Sequence, residues 1–320
     1  MGYRPPFEIT SHVLATLGEI TRLVGRYEGL QSPTPQPRLR RDNRIRTIVG
    51  SLAIEGNGLT PDQVTAILDK RRVIGPKREI VEVENAIAAY VRAPELDPTK
   101  VKDLLAAHGL LMKGLVADAG RLRAGGVGVV HGSRVLHVAP PAKQVPRLVS
   151  ELLQYLRDSR EHPLVLSAVA HYEIEFIHPF SDGNGRTGRL WQHVILVRWQ
   201  PLFEWLPVES VVRARQGEYY RVLAACDRAA SCTAFIEFSL DVILEALGEL
   251  LAELKPAPSS VTTRLELAHR HFGRREFTRK DYLLLIKTLS TATASRDLQH
   301  GVAERLLTRT GDRSRARYRF

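Results

Sequence analysis

Apolar residues recur at helical spacing along most of this chain. Over residues 9 to 30 they fall at Val13, Leu14, Leu17, Ile20, Leu23 and Val24, which predicts an amphipathic helix. A proline-broken stretch, SPTPQP at 32 to 37, interrupts the pattern. The next segment reads as helix up to Glu55 and stops at Gly56-Asn57-Gly58. Thr60-Pro61-Asp62 opens another helix with proline in its first turn. Further helices are predicted over 79 to 92 and 99 to 116. Residues 126 to 138, GVGVVHGSRVLHV, change character: they are β-branched, with Gly132-Ser133 in mid-run, and predict a short hairpin closed by Pro140-Pro141. Helical periodicity resumes at 144 to 158 and persists to about 254. Within it, 164 to 177 (LVLSAVAHYEIEFI) is apolar on two faces, the mark of a core helix, and Pro179 ends it. Residues 186 to 198 form the next helix, with Leu190, Val194, Ile195 and Val197 mostly inward.

A linker, KPAPSS at 255 to 260, follows. Beyond it come a helix (TTRLELAHRHF), a second (TRKDYLLLI), a turn at Leu289-Ser290 and a third helix (TASRDLQHGVAERLL). The last residues, RSRARYRF, alternate in strand fashion. This order resembles a winged helix-turn-helix. No internal repeat or low-complexity tract is visible.

Composition adds limits. A length of 320 residues predicts about two domains, and 44% hydrophobic residues suffice for a core. No apolar run of about 18 residues occurs, so no membrane span is expected. The start of the chain lacks an apolar block of signal-peptide type. Cys226 and Cys232 fit no metal or redox spacing and read as reduced thiols, hence a cytoplasmic location. The net charge is +11, and residues 256 to 320 hold 14 Arg and Lys against 6 Asp and Glu, a net of +8. The end of the chain is therefore a basic module.

The chemistry concentrates at 178 to 189, HPFSDGNGRTGR. His178 lies at the edge of the core helix, and Phe180 can plug back into it. Gly183 and Gly185 flank Asn184 and can take positive φ, so successive N–H groups can form an anion nest. The following helix points its N-terminus at the same place. Arg186 and Arg189 share a face at the start of that helix, where a positive charge is unfavourable by about 0.3–1 kcal/mol each. Two such residues argue for a compensating anion, and a polyphosphate fits. Asp182 beside it fits a Mg²⁺ ligand.

The string resembles, position for position, the HPFx(D/E)GNGRxxR signature of the Fic family, whose members mostly transfer AMP from ATP to a protein hydroxyl. On that resemblance His178 is the general base and Asp182 binds Mg²⁺. Gly183, Asn184 and Gly185 hold the α- and β-phosphates, Arg186 steadies them, and Arg189 meets the γ-phosphate. Members that phosphorylate carry lysine at the position of Gly185; the small residue implies nucleotidyl transfer. Gly120 to Arg123, the hairpin, and residues 138 to 149 resemble the family's flap, which implies a target protein docking on 126 to 138. Tyr219 and Tyr220 fall where members often place an adenine-side aromatic, and read equally well as core tyrosines. His171 reads as a packed histidine.

Ser51-Leu-Ala-Ile-Glu55-Gly56-Asn57 resembles the inhibitory (S/T)xxxE(G/N) motif of one regulatory class. Ser51 and Glu55 share a helix face, and Glu55 sits at a helix C-terminus where its charge is disfavoured. Pairing with Arg189 resolves both misplaced charges and takes Arg189 from the γ-phosphate.

The expected protein is mainly α. A helical region with the inhibitory helix at 1–95 precedes a Fic-type catalytic core with one β-hairpin flap at 96–254, a linker at 255–261 and a small winged-helix domain at 262–320. The expected activity is autoinhibited protein AMP transfer using ATP and Mg²⁺. Two other readings fit the same residues: a DNA-binding regulator with a nucleotide-sensing Fic domain, and a Fic enzyme that uses another nucleotide or removes AMP. Arg296, Arg313, Arg315 and Arg317 suit phosphate contact with DNA, while such modules also dock proteins. The first 35 residues suit packing on the core and a homodimer contact equally.

Overall fold

A computed structural model describes residues 3–29, 37–126, 128–131, 134–253, 260–286, 289–311 and 316–320, with the backbone alone over the hairpin strands. The chain divides into two compact units, Met1–Leu251 and Ala252–Phe320.

The first unit is helical apart from one hairpin. Its helices are α1 (Ser11–Glu28), α2 (Pro37–Ile54), α3 (Pro61–Leu68), α4 (Lys77–Arg92), α5 (Val101–Leu111), α6 (Val145–Asp158), α7 (Pro163–Ile177), α8 (Asn184–Trp199), α9 (Val208–Ala214), α10 (Gln216–Ala229) and α11 (Thr233–Glu253). The boundaries follow local chemistry. Thr60 caps α3 through a capping box with Gln63, and Pro61 and Pro163 occupy first turns where no N–H partner is lost. Strands β1 (Gly128–His131) and β2 (Arg134–Val138) pair antiparallel with an irregularity between Val129 and Val130. The turn expected at Gly132-Ser133 lies outside the described residues.

One core joins α2 to α8. Ile48, Leu52, Val64 and Val83 pack in the same cluster as Leu104, Leu152, Phe180 and Trp191. The helices before and after residue 95 thus lie in one compact unit, which ends at Leu251. The first residues pack on this body. Tyr3 donates to Glu173 at 2.8 Å, Cys232 N donates to Pro6 O at 2.9 Å, and Thr10 donates to Glu237 at 2.6 Å. Val13, Ile20, Leu23 and Val24 are buried as predicted, while Leu14 is exposed. The helix expected to run to 116 stops at Leu111, and left-handed Gly114 and Gly120 turn the chain back. Leu115 and Val116 are apolar because this turn packs against the core. Cys226 and Cys232 are buried and free. Among the described residues no helix is long and apolar enough to cross a membrane.

The second unit comprises α12 (Val261–Phe272), β3 (Phe277–Thr278), α13 (Arg279–Leu285), α14 (Thr291–Ala303), β4 (Thr308–Thr310) and β5 (Arg317–Arg319). The strands form an antiparallel sheet in the order β3-β5-β4. Leu265, Phe277, Tyr282, Leu298 and Tyr318 form its own core. The third helix ends at Ala303, four residues before the expected Leu307, because Arg305 takes a left-handed turn into β4. Residues 255–259 of the expected linker lie outside the described residues, as do Arg313 and Arg315. Arg296 and Arg317 are exposed, and Arg317 lies 3.7 Å from Glu276.

Candidate active site

The site is the junction of α7 with α8. His178 caps α7 in a left-handed conformation at φ 50°, which turns the chain sharply out of the core. Its Nδ1 lies 3.2 Å from the Glu175 carbonyl. A carbonyl only accepts, so in the neutral ring Nδ1 carries the proton and Nε2 the lone pair. Phe180 is fully buried and stacks on His108 at 3.7 Å. His108 Nδ1 accepts from Gly120 N at 2.9 Å, which leaves Nε2–H to donate to Asp182 O at 3.0 Å. Burial pushes the His108 pKa down, in keeping with this neutral role.

Asn184 closes the loop on itself. Its Oδ1 accepts from Phe180 N at 2.9 Å and its Nδ2 donates to Phe180 O at 3.0 Å. The Asn184 side chain therefore shapes the loop, and its main-chain N–H remains at the start of α8. The first intrahelical bond of α8 runs from Thr187 N to Gly183 O at 2.9 Å. The N–H groups of Asn184, Gly185 and Arg186 precede it and form the helix's donor end. Gly183 is left-handed at φ 83°, and a Cβ there would lie 2.5 Å from Met112 Sδ. Gly185 is helical, and a Cβ there would lie 2.5 Å from Glu55 Oε1 and 3.1 Å from Arg189 Nη1, so a larger residue would have to displace the Glu55 carboxylate.

The two arginines are differently held. Arg186 meets Glu82 at 3.2 Å and Asp182 at 3.1 Å. Arg189 Nε donates to Ser51 Oγ at 3.2 Å, and its Nη2 donates to Ser51 O at 3.1 Å and to Glu55 Oε1 at 2.7 Å. Arg189 Nη1 is buried without a protein partner. Burial alone would lower the Arg189 pKa; Glu55, Tyr219 and Glu175 outweigh it, and the net shift is upward. Ser51 and Glu55 are thus in direct contact with the helix that follows the glycine loop.

Behind Arg189, Glu209 is buried and accepts from Tyr90 at 2.9 Å. Burial raises its pKa from 4.5 to about 7. The native state therefore holds this proton more tightly than the unfolded chain, and stability falls as pH rises between those values. Glu209→Gln should remove that slope, sparing about 3 kcal/mol at pH 8 and little at pH 4, measured by urea unfolding across pH. An unchanged slope would show that Glu209 does not titrate there.

A cavity of about 300 Å³ opens over the loop, lined by Glu55, Glu175, His178, Asp182, Gly185 and Tyr220 among others. Tyr219 and Tyr220 both border it but differ. Tyr219 is buried, with its hydroxyl 3.1 Å from Glu175 Oε1 and 3.1 Å from His171 Nε2. Tyr220 is exposed and donates to Ile54 O at 3.2 Å. His171 is packed as expected, and burial holds it neutral with a pKa near 3. Among the described residues no three of His, Cys, Asp and Glu gather as a metal cluster. Asp182 is a single, partly exposed carboxylate at the cradle's edge, which fits an ion that shares its ligands with phosphates and water.

Arg123, which the sequence places only within the flap resemblance, is central. It is buried, and its guanidinium donates to four carbonyls: His178 at 2.6 Å, Gly125 at 2.8 Å, Pro140 at 2.6 Å and Ile177 at 3.3 Å. It ties both ends of the hairpin to the turn that carries His178. Its charge among small residues beside Gly125-Gly126 was the available signal. Arg123→Ala leaves these carbonyls without their donor, at about 1–3 kcal/mol for each group that water cannot reach. A clear fall in melting temperature, measured by calorimetry, is expected; an unchanged one would contradict the clamp.

The comparisons agree with this geometry. A family profile described as Fic/DOC matches residues 98–196. The chain is similar to a solved Fic family protein from Desulfovibrio desulfuricans, 44% identical over 99% of this chain and 98% of that one, with a TM-score of 0.76. It is also 32% identical to the protein adenylyltransferase fic-1 of Caenorhabditis elegans over 62% of this chain, and 28% identical to the protein adenylyltransferase Fic of Drosophila erecta over 73% of it. The chain belongs to the Fic family. It spans 39% and 48% of the length of these two curated relatives.

Proposed function

We propose that this protein is an autoinhibited protein adenylyltransferase. The observation that carries the reading is the 2.7 Å contact of Glu55 with Arg189 beside the cavity that opens over the glycine loop. The triphosphate lies against the α8 N-terminus, with Arg186 on the phosphates and the orphaned Nη1 of Arg189 aimed at the cradle. Tyr220, with Tyr219 behind it, borders the base end. Mg²⁺ on Asp182 would neutralise phosphate charge there. A target hydroxyl gives its proton to His178 Nε2 as its oxygen attacks the α-phosphorus. The bond to the bridging oxygen breaks and pyrophosphate leaves, with positioning and charge neutralisation supplying the rate. A target segment pairs along the hairpin at 126–138, which Arg123 fixes beside His178.

The second unit supports a recognition role, with Arg296 exposed on α14 and Arg317 on β5, suited to the phosphates of DNA. Binding to duplex that weakens steeply with salt supports this; no shift with duplex at low salt excludes it.

Intact-mass spectrometry of the native and Glu55→Gly proteins, incubated with each nucleoside triphosphate and Mg²⁺, tests the activity. AMP adducts from ATP, stronger in the variant, are expected. Adducts from another triphosphate alone, or no adduct in either protein, would overturn the reading.

A further inference from the structure

Four charged side chains close a ring beside the phosphate cradle. Arg186 Nη1 lies 3.2 Å from Glu82 Oε1, and its Nη2 lies 3.1 Å from Asp182 Oδ1. Arg78, from the first turn of α4, completes the circuit, with Nη2 at 3.3 Å from Asp182 Oδ2 and Nε at 3.5 Å from Glu82 Oε1. Two guanidiniums and two carboxylates balance to zero charge.

The members differ in how firmly they are held. The Arg186 side chain is 5% exposed and that of Glu82 is 12% exposed. Asn57 Nδ2 donates to Glu82 Oε2 at 3.0 Å and to Glu79 O at 3.1 Å, so Glu82 is anchored from a second side. Asp182 is 43% exposed and Arg78 59%. The inner half of the ring is fixed, and the outer half is an open ion pair of the kind that contributes little to stability.

The oxygens of Asp182 divide the same way. Oδ1 is taken by Arg186 and by Gly183 N at 2.6 Å. Oδ2 lies 3.3 Å from Arg78 Nη2, its ion-pair partner among the described residues. Asp182 borders the cavity, and a divalent cation that takes Oδ2 as a ligand would compete with Arg78 for that oxygen. The two charges repel, and the guanidinium on its exposed stem is the one able to withdraw.

We propose that Arg78 is a resident counter-ion for the metal position: it neutralises Asp182 when no divalent cation is bound and competes with that cation for Oδ2. The inference rests on the reading of Asp182 as the metal ligand. It makes Arg78 a positioning residue that raises the divalent-ion concentration the site requires, while the buried Arg186–Glu82 pair holds the inner side of Asp182 in place.

The test is Mn²⁺ binding to the full chain, followed by electron paramagnetic resonance, with Mn²⁺ alone and with a non-hydrolysable ATP analogue. Arg78→Ala is expected to bind Mn²⁺ roughly three- to tenfold more tightly than the parent, with Arg78→Lys between them. Asp182→Asn should lose the saturable signal. If Asp182→Asn loses it but Arg78→Ala binds no more tightly than the parent, the counter-ion role falls and the ligand reading stands. If Asp182→Asn binds like the parent, or no protein shows saturable binding, the ligand reading fails and the proposal with it.

Discussion

Glu55→Gly raises self-AMPylation roughly 5- to 150-fold, the range of a coupling free energy of about 1–3 kcal/mol between two mutually exclusive contacts. Arg189 is the shared element. Its Nη2 is held by Glu55 at 2.7 Å, and its Nη1 is buried with no protein partner. A γ-phosphate and Glu55 cannot both be its principal counter-ion. Removing Glu55 also leaves a buried cation unpaired, which is costly. The variant should therefore melt at a lower temperature without nucleotide and gain more from ATP than the parent does. The rise in labelled AMP incorporation and the larger ATP-induced melting shift are measured on the same protein. Loss of stability without gain of activity would mean that Glu55 is only a structural partner of Arg189.

His178→Ala in the Glu55→Gly background lowers AMP transfer by about 10²–10⁴-fold, the usual contribution of a positioned general base. Nδ1 is occupied by the Glu175 carbonyl, so only Nε2 can take the hydroxyl proton. The change leaves the cradle intact, because that is built by Asn184 against Phe180 and by Arg123 against the neighbouring carbonyls. ATP affinity, measured by calorimetry, should change little while turnover collapses. Equal losses in both would place His178 in binding instead of proton transfer.

What could be read from the chain is what is encoded locally. The loop from His178 to Arg189 builds its conformation from adjacent residues, with Pro179 ending one helix, Gly183 left-handed and Asn184 bonding to Phe180. The Ser51–Glu55 face depends only on helical spacing, and the opposed misplaced charges of Glu55 and Arg189 pointed to their pairing. What escaped depends on distant partners. Arg123 reaches carbonyls 55 residues away, and the ring joins α4 to a loop 104 residues on. The helix predicted to 116 ran too far because Leu115 and Val116 pack as a turn, so their apolar character mimicked periodicity. Strands β3 and β4, of two and three residues, are too short to show an alternation of period two. The placement of the first residues on the core rests on single bonds such as Tyr3 to Glu173, 170 residues apart, which no local pattern announces.

The most direct test of the account is calorimetric binding of ATP with Mg²⁺ to Glu55→Gly and to Glu55→Gly carrying Arg189→Ala. The account predicts saturable binding to the first and at least about a tenfold weaker affinity in the second, equivalent to 1.4 kcal/mol. Equal affinity in the two proteins, or no uptake by Glu55→Gly, would contradict it.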